Sequence, residues 1–152
     1  MYIDNVVFYQ RVKSWTADRL ERRGWQNCGI CNLCNEVQEL AAHLLFKCRF
    51  TTSIWNTIKD WLSMHDIFPS EWHHALSVKE WWSGIINGPS NHRKALVSLA
   101  MLISWELWKE RNAFAFRNQY TTTAMMVHKI KEETRLWTFA GAKALRILVP
   151  RE

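Results

Sequence analysis

No stretch of this sequence is long and apolar enough to span a bilayer. The best candidate, ALVSLAMLISWELW, is bounded by Lys94 and Lys109. The opening MYIDNVVFYQRVKSW has no basic start followed by an apolar run, so no secretory leader is expected. No membrane partner is expected either, and the setting should be intracellular and thiol-reducing. There is no GxGxxG, no Walker loop, no HExxH and no GxSxG. The H-x-E and P-C-x-x-C pair of a zinc deaminase does not occur. Repeats and low-complexity tracts are missing too, and strand signals are weak, NVVFYQ being the best of them. These gaps point to a protein without catalysis and without a small-molecule substrate.

What is present would suit a helical core. The chain has 152 residues, 48% hydrophobic and 22% charged, enough for one domain or two modest modules. Ten tryptophans stand out. Their first reading is a Trp-rich helical core, with a partner surface or base-stacking platform second. Net charge is +6, which permits a polyanion but is diffusely spread. Residues 1–60 hold eight Lys/Arg against six Asp/Glu, and residues 61–152 hold twelve against eight.

Helical spacing recurs along the chain. SWTADRLERRGW reads as a short helix capped by Ser14 or Thr16 and ended by Gly24. Ile54, Trp55, Ile58, Trp61 and Leu62 share one helical face, with Thr51 or Thr52 as cap. HDIFPSEWHHAL is a connector broken at Pro69. Ser77 and Glu80 form a capping box before a helix that stops at Gly88-Pro89. Ser90 or Asn91 opens the longest helix, to about Phe116. On it Leu96, Leu99, Ile103, Leu107 and Phe114 form one stripe, and Val97, Met101, Trp105 and Trp108 a second. So broad an apolar surface implies a central helix covered on much of its circumference. Thr123 is the expected cap of a last helix containing Met126, Ile130 and Trp137, with Gly141 at its end. LRILVP is left as helical or extended. The expected class is mainly α: a small zinc-stapled helical module over 1–63, then a Trp-rich helical region over 64–152.

The chemistry concentrates in CNLCNEVQELAAHLLFKC. Cys31-x2-Cys34 has metal-knuckle spacing, and His43 and Cys48 follow, separated by four residues. Three sulfurs and one imidazole suit tetrahedral Zn2+. Protein would then fill all four positions, leaving none for an activated water, so the expected site is structural. The plainer reading is buried free cysteines. Cys28-x2-Cys31 is an equally good knuckle, although Cys31/Cys34 leaves the shorter excursion to His43. The remaining histidines, including His73-His74 near His65, read as solvated loop or helix-start residues.

WTADRLERRGW, CNLC, HLLFKC and SIW together resemble the zinc-binding region at the carboxyl end of plant non-LTR (LINE-type) retrotransposon reverse transcriptases. The later ISWELWKERNAFAFRN and IKEETRLWTFAGAKAL resemble the tail of grass members. The resemblance is strongest from Trp15 to Trp55. It implies zinc at Cys31, Cys34, His43 and Cys48, makes Cys28 a departure, and implies nuclear residence. The opening is shorter than in that family, as though the chain began inside an ancestral module. A polymerase needs paired carboxylates for two metals. The sequence has no Asp-Asp pair, and 152 residues cannot hold a palm.

Two functions from different classes follow. One is a non-catalytic RNA- or DNA-binding accessory module, with Arg19, Arg22, Arg23, Lys47 and Arg49 on phosphates and Trp25 or Phe50 on unpaired bases. Glu21, Glu36 and Glu39 lie among these cations, so a plain solvated face competes with that reading. The other is a structural or interaction module that self-associates through its Trp-rich helices. A redox thiol protein using Cys28, Cys31 and Cys34 ranks below both, because no thioredoxin-like pattern follows the CxxC. A decayed reading frame stands beside them.

Overall fold

The computed structural model describes residues 29–31, 33–38, 40–88, 92–117 and 121–151. The expected helix over 14–24, the NVVFYQ strand and the caps at Ser90 or Asn91 lie outside them. The described part is mainly helical. Its one β feature is an isolated antiparallel bridge, Ile30 to Gln38.

A π-helical turn, His43–Lys47, precedes α1, Arg49–Trp61. A 3-10 turn, Pro69–His74, leads into α2, Val78–Asn87. Then come α3, Arg93–Arg117, α4, Thr123–Phe139, and the short α5, Lys143–Leu148. Helix α3 packs against α2, α4, α5 and the π turn, while α1 lies on α4. No described helix is long and apolar enough to cross a membrane.

The apolar spacing of α1 places Ile54, Trp55 and Ile58 fully inside. Its cap differs from expectation. Cys48, in extended conformation, occupies the N-cap position, and Thr51 and Thr52 both lie within the helix. Thr51 is buried and serves another purpose, described below. The capping box of α2 forms: Ser77 Oγ accepts from Glu80 N at 3.1 Å. Glu80 answers one residue earlier than the usual pattern, accepting from Leu76 N at 2.8 Å. For α4 the cap is Thr122, whose Oγ1 accepts from Met125 N at 3.1 Å; Thr123 is already helical. Gly141 follows α4 with φ of 115°, a backbone state that glycine adopts at little cost. The tail is helical, and Arg146 reaches back to bond the Thr138 carbonyl at 2.8 Å.

On α3, Leu96, Leu99, Ile103, Leu107 and Met101 are buried. Trp105 is 39% exposed, however, and Glu106 and Arg111 are buried in the gaps of the pattern. Lys109 and Lys129 pair with the Glu106 carboxylate at 2.8 and 3.2 Å. The second cation joins α3 to α4. A buried charge is tolerable only with such partners.

One core joins the elements on both sides of residue 63. Phe46 of the π turn stacks on Trp81 with ring centroids 5.0 Å apart. Trp81 meets Trp72 edge-on at 5.7 Å, and Trp72 meets Trp55 at 4.8 Å. Four aromatic rings thus tie the π turn, the 3-10 turn, α1 and α2 together. The seam between α1 and α4 is closed by cations over a ring: Lys131 and Arg135 each lie 5.4 Å from the Trp61 centroid.

Candidate metal centre

Cys31 and Cys34 sit in a tight loop closed by the backbone. Cys31 N donates to Val37 O, and Asn35 N donates to Cys31 O, both at 2.8 Å. Asn35 has φ of 58°, the left-handed state that asparagine accepts more readily than most residues. Gly29 enters the loop at φ of 72°. The two thiols are therefore brought together by turn chemistry rather than by a helix.

His43 and Cys48 are brought together by the π turn. In a regular α-helix residues five apart lie about 140° apart around the axis. Here Cys48 N donates to His43 O at 2.6 Å, the five-residue closure of a π turn. The widened turn also lets Leu44, Leu45 and Phe46 all be buried in succession. Thr51 fixes this turn to α1, its Oγ1 donating to Leu44 O at 2.7 Å inside the core. Thr51→Val removes the donor while keeping the shape and leaves that carbonyl without it. The expected loss is about 1–3 kcal/mol, read by urea unfolding at fixed zinc concentration.

The four ligand atoms of Cys31, Cys34, His43 and Cys48 all lie within 4.8 Å of one another. Cys31 Sγ and Cys48 Sγ are 3.8 Å apart, and Cys34 Sγ is 3.3 Å from His43 Nε2. Tetrahedral zinc bonds would place two sulfurs about 3.8 Å apart and a sulfur and an imidazole nitrogen about 3.5 Å apart. The donor set and its spacing thus fit a metal ion. Cys31 and Cys48 are fully buried, His43 nearly so, and Cys34 forms the wetter edge. All three thiols are free.

Crowding of these groups shows in their proton affinities. The Cys48 sulfur beside Cys31, helped by burial, pushes the Cys31 thiol up to about 12. The same contact lowers Cys48 against the cost of its burial, and backbone amides at the start of α1 help. His43 is raised chiefly by Cys31, then by Cys34, against its own burial. A cation bound among these groups would favour their thiolate forms.

Residues 6–55 match the family model described as zinc-binding in reverse transcriptase. The matched region takes in all four clustered ligands and ends at Trp55, in the core of α1. It covers about a third of the chain. Comparisons with curated proteins and with solved structures give no match. The zinc-binding region of a reverse transcriptase is thus supported for the amino-terminal third, and the later helices stand on their own packing.

Of the proposed phosphate contacts, Arg19, Arg22 and Arg23 lie outside the described residues, as do Cys28 and Trp25. Lys47 and Arg49 are exposed on either side of Cys48. Arg49 Nη2 pairs with Glu36 Oε1 at 2.6 Å. Such an exposed pair contributes little to stability and occupies the guanidinium. Lys47 lies 5.8 Å from the Phe46 ring centroid. Phe50 is half-buried against the core, so its face is only partly open for stacking. Sequence periodicity missed the π turn and the Thr51 tie; the five-residue His43–Cys48 interval was the available signal.

Proposed function

We propose that Cys31, Cys34, His43 and Cys48 hold one structural Zn2+ in a non-catalytic module descended from a reverse transcriptase. The convergence of four ligand atoms within 4.8 Å supports this most directly. Bound zinc would supply cross-linking and charge neutralisation. With four protein ligands no position is left for an activated water. The chain's own residues do the rest: the loop at Asn35 and the π turn aim the ligands, and Leu44, Leu45 and Phe46 anchor them in the core. A plant LINE-type ancestry and nuclear residence belong to this reading through the sequence resemblance.

The module's role on this reading is to hold RNA or DNA by phosphate contacts from Arg19, Arg22, Arg23, Lys47 and Arg49. Exposure of Lys47 beside the four-ligand cluster favours it, while Arg49 would exchange Glu36 for a phosphate. Fluorescence anisotropy with single-stranded RNA and DNA is expected to show affinity that falls steeply as salt rises. Replacing both Lys47 and Arg49 by Gln should flatten the logarithmic salt slope by about 1–2. Absence of binding at low salt would remove the nucleic-acid role and leave the metal site intact.

A second reading, a structural or protein-interaction module, draws on exposed apolar side chains. Phe139 is 84% exposed and Ile147 85% exposed, near the carboxyl end. Self-association by light scattering together with no nucleic-acid binding would favour it. A product without a selected role would show neither.

A further inference from the structure

Away from the metal cluster, a cleft of about 580 Å³ opens between the 3-10 turn and α2. Its aromatic lining includes Phe68, Trp72 and Trp81, and its carboxylates are Asp66, Glu71 and Glu80. We propose that this cleft binds an arginine or lysine side chain of a partner peptide. The inference is independent of the metal and nucleic-acid readings.

Three observations converge on a cation. The first is charge: three exposed carboxylates meet in one cleft of a chain whose net charge is +6. The local sign is opposite to that of the molecule, which disfavours a polyanion here and favours a cation. The second is the aromatic wall. Phe68 and Trp72 line the cleft, and aromatic rings suit both an alkyl stem and its charged head. This chain already uses that pairing, with Lys59 5.8 Å from the Phe68 centroid and two cations over Trp61. The third is order. Glu80 is fixed from two sides, its carboxylate accepting from Leu76 N and its amide donating to Ser77 Oγ. Trp72 is held edge-on between Trp55 and Trp81. A pre-positioned carboxylate and ring reduce the entropy lost on binding.

Groups of opposite effect include His74, which lines the cleft, and Lys59 on the Phe68 ring. Lys59 also lies 3.8 Å from Asp60, which offsets part of its charge. The volume falls within the range of sites that enclose small ligands, so one long side chain with its flanking backbone fits the space.

The test uses the full chain and two probes of nearly the same shape, N-acetyl-arginine amide and its neutral analogue N-acetyl-citrulline amide. Binding is read from the tryptophan indole N–H resonances, with Trp72 assigned through Trp72→Phe. The arginine probe should move the Trp72 and Trp81 resonances saturably, and the citrulline probe about tenfold more weakly. Glu71→Lys, an exposed change outside the core, should weaken the arginine probe by about tenfold. Equal binding of both probes would overturn the proposal. So would saturation confined to Trp105 and Trp108, or no saturation up to the probe's solubility. If dilution alone moves the Trp72 and Trp81 resonances, a second copy fills the cleft and the proposal fails.

Discussion

Purified protein is expected to carry one Zn2+ per chain, and Cys31→Ser or Cys34→Ser to lose it. In zinc-finger peptides the apparent binding free energy is on the order of 10 kcal/mol, much of it folding energy. Among the described residues of the 29–38 loop only Cys31 is buried, so the loop has little other support there. Native mass spectrometry should show wild type as a single metal-bound species and each variant as apoprotein. Near-ultraviolet circular dichroism should lose aromatic signal in the variants, because Phe46 follows the π turn onto Trp81. Helices α3, α4 and α5 also pack against one another, so part of the far-ultraviolet signal should persist. Cys28→Ser should keep both metal and fold. A compact wild-type protein that stays metal-free after reconstitution with zinc would refute the metal centre.

Trp55→Ala should be the most damaging single change in the apolar core. The side chain is fully buried and meets Trp72 edge-on. Truncation of a buried tryptophan costs about 3–5 kcal/mol, from lost transfer energy and the cavity left behind. A large share of a domain's total stability, about 5–15 kcal/mol, would go with it. Urea unfolding monitored by circular dichroism should place the midpoint far below wild type, or leave the variant unfolded. Trp72→Ala should cost less, since Trp72 is only partly buried. A double-mutant cycle should return about 0.5–1.5 kcal/mol of coupling between the two rings. A cost below 1 kcal/mol for Trp55→Ala would contradict the packing described.

Much of this architecture was legible because helical periodicity is strong where burial is one-sided. The face of α1 carrying Ile54, Trp55 and Ile58 is such a case. The four-ligand cluster was readable in part: the His43–Cys48 interval is a local fact, but knuckle spacing fitted Cys28-x2-Cys31 as well, and the family resemblance decided for Cys31 and Cys34. Cap positions were off by a few residues where several threonines compete. In Thr121-Thr122-Thr123 the middle hydroxyl won, and at α1 Thr51 was drawn into the core to bond Leu44 O. On α3 the broad apolar surface hid its orientation. Glu106 is buried because Lys129 arrives from α4, a long-range pairing that α3 alone cannot announce.

The hydrogen bond from Cys48 N to His43 O makes this part of the chain a molecular ruler. One residue more or fewer between those two positions would turn a ligand away from its companions and shift the start of α1 with it. Length variation between the paired ligands should therefore fall between Cys34 and His43 rather than inside the His43–Cys48 interval.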